Sequence, residues 1–213
     1  MPKKGLLIVI SGFSGVGKGT IVKELLKRYP EEFRLSISAT SRKPREGEEE
    51  GKHYFFVSRE RFREMIDAGA LLEYAEYNQN YYGTPKEYVI SEAEKGHNVI
   101  LEIEVQGGLN IKKLFPDSLL LYVVPPSAKE LYERLVGRGT ESLSEIHRRL
   151  KRAVEEADYV PQYDELIVND DLEVCVQEVY ELIRRRQEEA GEQHAMIARL
   201  KNELLEITKE KPE

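Results

Sequence analysis

The sequence has a single cysteine, no tryptophan and no uninterrupted run of 18 apolar residues. One cysteine, Cys175, excludes a disulfide within the chain and is typical of a reducing compartment. It lies in a helical apolar pattern, which favours core packing over a nucleophilic role. The start of the chain also lacks a basic, apolar and small-residue signal pattern. We therefore expect a cytoplasmic protein that neither crosses a membrane nor is exported.

Basic residues are fewer than acidic residues. The chain carries 32 Lys and Arg residues against 39 Asp and Glu residues, a formal net charge of −7. A net acidic surface argues against nucleic acid as a bulk partner, although a local basic cluster can still bind a small polyphosphate. With 40% hydrophobic and 33% charged residues, the composition is that of a soluble globular protein.

Short apolar runs predict a buried sheet. They span residues 6–10, 99–103, 119–124 and 166–168, and segments with helical periodicity separate them. Strands that alternate with helices favour a parallel sheet covered on both faces, which is the α/β class. A mixed α/β insertion and a helical insertion interrupt this rhythm.

The predicted organisation follows from those interruptions. Three stretches form the core, two are inserted, and a charged helical tail ends the chain. In order, they are core 1–36, the first insertion 37–89, core 90–126, the second insertion 127–160, core 161–190 and the tail 191–213. In the first insertion we expect helices that begin near Ser58 and after Thr84, which is predicted to cap its helix. Capping-box spacing predicts two helices in the second insertion, at Ser127 with Glu130 and at Ser142 with Glu145.

A glycine-rich loop, GFSGVGKGT, joins the first predicted strand to an amphipathic helix. Its glycines let successive backbone N–H groups turn toward an anion, and the helix N-terminus adds its dipole. Lys18 supplies a positive charge at the β- and γ-phosphates of a nucleoside triphosphate. The predicted triphosphate-binding residues of the loop are Gly12, Ser14, Gly15, Val16, Gly17, Lys18, Gly19 and Thr20.

One position in this loop affects the choice of metal ligands. A Ser or Thr usually follows the lysine and binds Mg²⁺, but here Gly19 takes that position and the hydroxyl comes at Thr20. We expect Thr20 to contact the α-phosphate, and phosphates and waters to hold most of the Mg²⁺ shell. Glu102, at the end of the second apolar run, is the acidic candidate for organising Mg²⁺-bound water.

A second anion site is predicted in the first insertion. Arg42 and Arg45 offer planar donor forks to a phosphate, and Tyr54 and Tyr82 add hydroxyl groups. Glu73 follows an apolar pair, and a carboxylate there can accept two parallel hydrogen bonds from guanine, which adenine cannot offer. From residue types alone an exposed Arg or Glu is the commoner reading, and only the concentration of these groups favours a site.

With these motifs, the chain resembles the guanylate kinase family. The matching stretches include SISATSRKPREGEEEGKHYFFVS, LLEYAEYNQNYYGT, ILEIEVQGG, RLVGRGT and IVNDDLE, in the family's order between residues 6 and about 174. The resemblance implies a P-loop fold with an inserted GMP-binding module and a helical lid. It also implies transfer of the γ-phosphate of ATP to GMP with Mg²⁺. We expect dGMP to serve as an acceptor as well, and the protein to be a monomer or a homodimer.

The resemblance also assigns roles to individual residues. It implies that the GMP phosphate is held by Arg42, Arg45, Tyr54 and Tyr82. The guanine would be read by Glu73, Ser38 and Thr84, with Glu104 close to the nucleotide. The catalytic residues would be Lys18, Arg42 and the lid arginines Arg134, Arg138 and Arg149, and the adenine would be bordered by Asn169 and Asp170.

The sequence departs from the commonest family pattern in several places. Phe13 stands where proline is usual, Ser41 where threonine is usual, and Glu102 and Glu104 replace two aspartates. Two alternatives stay open at this stage: a kinase for another nucleoside monophosphate, and a non-catalytic, peptide-binding module of the same family. The intact Lys18 and loop glycines favour the enzyme.

Overall fold

The computed structural model describes residues 4–77, 79–137, 139 and 142–209. In this part of the chain the strands are β1 (Leu7–Gly12), β2 (Phe33–Leu35), β3 (Ala39–Thr40), β4 (Phe55–Phe56), β5 (Leu71–Tyr77), β6 (Asn80–Pro85), β7 (Asn98–Glu102), β8 (Leu119–Val124) and β9 (Glu165–Val168). The helices are α1 (Lys18–Arg28), α2 (Arg59–Asp67), α3 (Lys86–Glu94), α4 (Val105–Leu114), α5 (Ala128–Gly137), α6 (Leu143–Ala157) and α7 (Leu172–Lys209), and a short 3₁₀ turn covers Val160–Gln162.

Two sheets organise the described residues. The central sheet has the order β2-β7-β1-β8-β9 and all its pairs are parallel. The second has the order β4-β3-β6-β5, with antiparallel pairs of β6 to β3 and β5 and a parallel pair of β3 to β4. The predicted α/β class with a mixed inserted module is confirmed.

The core lies on both faces of the central sheet. Leu7 and Val9 of β1 join a buried cluster with side chains of α3 and α4. The alternate residues Ile8 and Ile10, which point to the opposite face, are also fully buried, and α1 contacts β1, β2 and β7. A strand with both faces buried has a continuous apolar sequence, as seen here.

Local signals set most helix starts. Ser58 accepts a hydrogen bond from Arg61 N and caps α2, and Ser142 and Glu145 form the predicted capping box of α6. The prediction that Thr84 caps α3 is wrong. The residue at the cap position of α3 is Pro85, which makes no side-chain cap, and Thr84 lies one residue further out, where its hydroxyl donates to Glu73.

The chain separates into two compact units, one ending at Val176 and one starting at Gln177. The second is the remainder of α7, whose exposed apolar side chains are Met196, Ile197, Leu200, Leu204 and Leu205. Among the described residues, no helix is both long enough and apolar enough to cross a membrane. The segment boundaries predicted from the sequence stay predictions.

Candidate active site

The glycine loop lies at the carboxyl end of β1, between the ends of β7 and β8. Parallel strands present their carboxyl ends at one edge, where ligands of open α/β sheets bind. Gly17 immediately precedes α1 in the left-handed region, with φ 99°, and leaves the first turn without a side-chain cap. A non-glycine residue would be strained at this φ. The first amide groups of α1 are therefore available to an anion.

Lys18 points back across the loop. Its Nζ donates to the carbonyl oxygens of Gly12, at 2.7 Å, and Phe13, at 3.2 Å. Neighbouring carbonyls hold the ammonium group at the loop, where it can reach a phosphate. Asn169 fixes the other side, since its Nδ2 donates to Val16 O at 2.8 Å.

A cavity of about 430 Å³ opens on the outer side of the loop. It gathers most of the residues predicted for ATP. Its lining includes Gly15, Val16, Gly17, Thr20, Arg134, Asn169 and Asp170. The structure thus brings together loop residues and a dipeptide that lies about 150 positions later in the chain, at the end of β9.

A second cavity of about 350 Å³ opens on the other side of the loop, toward the mixed sheet. Four parts of the chain contribute to it. The loop gives Gly12, Ser14 and Lys18; the inserted module gives Ser38, Arg42, Arg45, Tyr54, Glu73 and Tyr82; the segment after β7 gives Glu102 and Glu104; and α6 gives Arg148, Arg149, Arg152 and Glu156. Every residue predicted to bind GMP lines this cavity except Thr84, which is buried behind Glu73.

Two arginines form a cationic wall in this second cavity. The Arg42 guanidinium lies over the Tyr54 ring, 5.3 Å from its centroid, and makes two hydrogen bonds of 2.9 Å to the Glu48 carboxylate. The same carboxylate accepts from Arg45 N at 2.7 Å. The Glu48 carboxylate raises the pKa of Arg42, and Arg42 in turn lowers the pKa of Glu48. Glu48 was not among the residues predicted from the sequence.

Glu73 lies at the back of the second cavity, only 7% exposed. Its Oε1 accepts from Thr84 Oγ1 at 2.6 Å. Burial raises its pKa to about 7, the Thr84 hydrogen bond opposes this rise, and the Glu104 charge adds to it. Space for the carboxylate depends on Gly107 in α4, where a Cβ would come within 2.6 Å of Glu73 Oε2.

The two glutamates after β7 have different surroundings. Glu102 lies beside the start of α1, since a Cβ at Gly19 would be 3.6 Å from Glu102 Oε2. Glu102 is exposed at the surface of the cavity. The protein around its carboxyl group still raises its pKa by desolvation, and the positive charge of Lys18 opposes this rise. Glu104 instead caps α4 by accepting from Gly107 N, at 2.6 Å, and Gln106 N, at 3.0 Å.

These donors suit a hard cation that prefers oxygen ligands. The Glu102 carboxylate lies beside the start of α1 and lines the second cavity, whereas Thr20 lines the first. In the described part of the chain, no group of three or more His, Cys, Asp or Glu side chains could hold a metal by itself.

Helices α5 and α6 bring further arginines to the loop. Arg149 Nη1 donates to Ser14 Oγ, and Arg134 Nη1 lies 3.5 Å from Val16 O. Arg138, the third arginine predicted for the lid, is outside the described residues. Arg148 and Arg152 also line the second cavity. The sequence signal for Arg148 and Arg152 was their spacing relative to each other and to Arg149, because residues three and four positions apart share one face of a helix.

Phe13, the departure from proline in the loop, packs against the helical insertion. It contacts a buried cluster formed by Leu131, Leu135, Ile146 and Ala153, and its ring meets Tyr122 edge to face at 5.4 Å. An aromatic side chain here ties the loop to α5 and α6 through apolar area that proline would not supply.

Known proteins share this arrangement. The family described as "Guanylate kinase" matches residues 4–186. Guanylate kinases of Clostridioides difficile (strain 630) and Caldanaerobacter subterraneus are 47% and 49% identical to the chain. The first alignment covers 98% of both proteins, and the second 85% of this chain and 87% of its relative.

A crystal structure of guanylate kinase from Anaplasma phagocytophilum superposes with a TM-score of 0.73 at 30% identity, covering 87% of this chain and 88% of that one. Relatives this similar over nearly the whole chain, together with the loop and the two cavities, establish that the chain belongs to the guanylate kinase family.

Proposed function

We propose that the protein transfers the γ-phosphate of ATP to GMP and releases ADP and GDP. One observation carries this proposal: two cavities flank a single glycine loop, and Lys18 of that loop lines the second of them. The cavity on the Asn169 side accommodates the donor, and the cavity on the Glu73 side accommodates the acceptor. A donor and an acceptor held on either side of one phosphate-binding loop have the arrangement that direct transfer requires.

The acceptor cavity supports recognition of a guanine monophosphate. Arg42 and Arg45, with the Tyr54 and Tyr82 hydroxyls, would bind the phosphate. Glu73 would accept from guanine N1–H and the exocyclic amine, and Thr84 would orient that carboxylate by its 2.6 Å hydrogen bond. Ser38 and Glu104 line the same cavity, and we propose that Ser38 completes the base contacts while Glu104 lies close to the nucleotide.

The donor cavity supports binding of ATP. The loop amides and Lys18 would hold the phosphates, while Asn169 and Asp170 border the adenine. Arg134, Arg138 and Arg149 would close over the transferring group, which suppresses attack by water until both nucleotides are bound. Mg²⁺ would be held by phosphates and waters, with Glu102 organising the bound water, and would neutralise phosphate charge, while Thr20 would contact the α-phosphate. We place this reaction in the cytoplasm.

The transfer requires no covalent enzyme intermediate. An oxygen of the GMP phosphate attacks the γ-phosphorus, and the bond to the bridging β–γ oxygen breaks as ADP leaves. The attacking group is already an anion, so no side chain has to remove a proton from it. The enzyme's task is to cancel repulsion between two polyanions, which the arginines and Lys18 perform.

ADP production measured against a panel of nucleoside monophosphates tests this proposal. We expect turnover with GMP to exceed turnover with AMP, CMP or UMP by roughly 10³-fold, since a site built to hydrogen-bond one base rejects the others strongly. A preference for another monophosphate would indicate a different kinase. The absence of turnover with all of them would indicate a binding module.

Acceptor binding should depend on the protonation of Glu73. Its pKa near 7 leaves the carboxyl about half protonated at neutral pH, whereas guanine requires the carboxylate. We expect GMP binding to release a proton and to weaken by nearly tenfold per pH unit below about pH 7. Calorimetry at pH 6.5, in two buffers that differ in ionisation enthalpy, measures the released proton.

The GMP phosphate itself titrates at about pH 6, so a control is required. Glu73→Gln retains the phosphate's contribution and removes that of the carboxyl. Proton release that is equal in the two proteins would contradict the role of Glu73 in this pH dependence.

Gly107 should matter for the acceptor alone. In Gly107→Ala the new methyl group would press on Glu73 Oε2, and we expect KM for GMP to rise about tenfold because the carboxylate is displaced. KM for ATP should not change.

Lys113 is an exposed position on the same helix, and Lys113→Ala is the control, which should leave both KM values unchanged. An unchanged KM for GMP in Gly107→Ala would contradict the prediction and show that Glu73 tolerates the displacement.

A further inference from the structure

The hydrogen bonds of Arg42 are distributed unevenly over its guanidinium group. Nη1 donates to Glu48 Oε2, at 2.9 Å, and to Lys43 O, at 2.8 Å, while Nη2 donates to Glu48 Oε1 at 2.9 Å. A guanidinium carries five N–H groups. These three bonds do not use the Nε–H and one Nη2–H, which lie side by side on one edge and match two oxygens of a phosphate. The Tyr82 hydroxyl, which lines the same cavity, also interacts with the guanidinium and contributes to the raised pKa of Arg42.

Glu48 controls more than one donor of the clamp. Its Oε2 also accepts from Arg45 N at 2.7 Å, and Glu48 N donates to Arg45 O at 3.1 Å. One carboxylate thereby fixes the Arg42 side chain and the Arg45 backbone together. The aromatic rings of Tyr54 and Phe56, 5.3 and 5.8 Å from the Arg42 guanidinium carbon, support the same orientation from the face.

The position of Glu48 relative to the ligand space decides its role. Arg42 and Arg45 line the acceptor cavity, and Glu48 is absent from the described lining. Its side chain is only 18% exposed, and the ion pair with Arg42 lowers its pKa and keeps it charged. A ligand phosphate can approach the arginines without taking the place of this carboxylate.

We infer that Glu48 is a positioning residue of the acceptor-phosphate clamp: it holds Arg42 end-on so that the Nε and Nη2 edge faces the incoming phosphate, and it fixes the turn that carries Arg45. This inference rests on the proposed function, because it assumes a phosphate in the second cavity. It differs from a placeholder role, in which Glu48 would mimic the phosphate and compete with it. The two roles predict opposite changes in GMP affinity when Glu48 is replaced: a positioning role predicts weaker binding, and a placeholder role predicts tighter binding.

The variant Glu48→Gln separates these roles with little change in shape. The amide keeps one acceptor oxygen but places an N–H₂ group against the donors of Arg42 or Arg45, so the clamp loses its fixed orientation. We expect the Kd for GMP to rise about tenfold, with KM for GMP rising in parallel and KM for ATP unchanged. Guanosine, which has the same base and sugar without the phosphate, should bind the variant as it binds the unmodified protein.

Controls are available within the same turn. Glu49→Gln removes an adjacent charge whose surface partner is Lys52, and it should leave GMP binding unchanged. Glu48→Asp keeps the charge on a shorter side chain and should restore part of the lost affinity. In an Arg42→Lys background, Glu48→Gln should have a smaller effect, since the guanidinium that it orients is already missing and only its bond to Arg45 N remains to be lost.

Calorimetric titration of these proteins with GMP and guanosine, with thermal unfolding as a check on folding, tests the inference. Tighter GMP binding by Glu48→Gln would overturn it in favour of a placeholder. Equal losses for GMP and guanosine, or no loss at all, would overturn it as well. If Glu48→Gln does not fold, Glu48→Asp and the Arg42→Lys background decide the question by the same comparison of ligands. Failure of the unmodified protein to bind GMP would refute the proposed function itself.

Discussion

Replacement of Lys18 by Met is expected to lower turnover by roughly 10³-fold while leaving the fold intact. The ammonium group lies at the carbonyls of Gly12 and Phe13, and the side chain lines the second cavity. Without it, negative charge that shifts from the γ-phosphate to the leaving oxygen has no fixed positive partner. Methionine retains the length and the apolar stem of the side chain, so the loss concerns charge. A coupled assay of ADP formation at saturating ATP and GMP measures the effect.

Lys23 provides the matched control for this experiment. It lies on the same helix, α1, and its side chain is exposed. Lys23→Met should retain normal turnover, and thermal unfolding of both variants should resemble that of the unmodified protein. Turnover in Lys18→Met within a few fold of normal would remove Lys18 from the catalytic centre.

Replacement of Glu73 by Gln is expected to reduce the preference for GMP over AMP by about 100-fold. A glutamine side chain offers one acceptor and one mismatched donor, where guanine needs two acceptors. The change costs GMP a charge-assisted hydrogen bond, and it removes the repulsion that the carboxylate exerts on other bases. The ratio of kcat/KM values for GMP and AMP reports this preference directly.

Glu76 is the control for Glu73. It lies three residues later on the same strand, β5, and is an exposed partner of Arg59 at 3.2 Å. Glu76→Gln should keep the full preference for GMP. If Glu73→Gln also keeps it, another group reads the base, and Ser38 and Glu104 are the next candidates in the cavity.

The fold could be predicted from the sequence because each of its elements is indicated by residues that are close together in the chain. Buried strands give continuous apolar runs, and the run at Leu119–Val124 coincides with β8. The glycine loop is a contiguous motif whose neighbours, a strand and a helix, are equally readable. The residues proposed for catalysis and binding are still predictions, although those that the structure describes, other than Gly19 and Thr84, line two adjacent cavities.

What the sequence did not indicate depends on contacts between distant residues. Gly107 makes room for Glu73, 34 positions earlier, and nothing in the neighbourhood of either residue signals this contact. Thr84 has the spacing of a helix cap, but α3 begins one residue later than that spacing predicts, and the Thr84 hydroxyl donates to the buried carboxylate of Glu73. Glu104 follows a strand like a site residue, yet two helix amides bind its carboxylate. Local spacing therefore could not distinguish a cap from a ligand.

The destination of a labelled γ-phosphate tests the central claim most directly. ATP carrying radiolabel only in its γ-phosphate is incubated with the protein, Mg²⁺ and GMP, and the products are separated by chromatography. The two-cavity arrangement predicts that the label appears in GDP, in amounts equal to the ADP formed, with little inorganic phosphate. Label that accumulates as inorganic phosphate, or remains in ATP when GMP is present, would contradict direct transfer between the two sites.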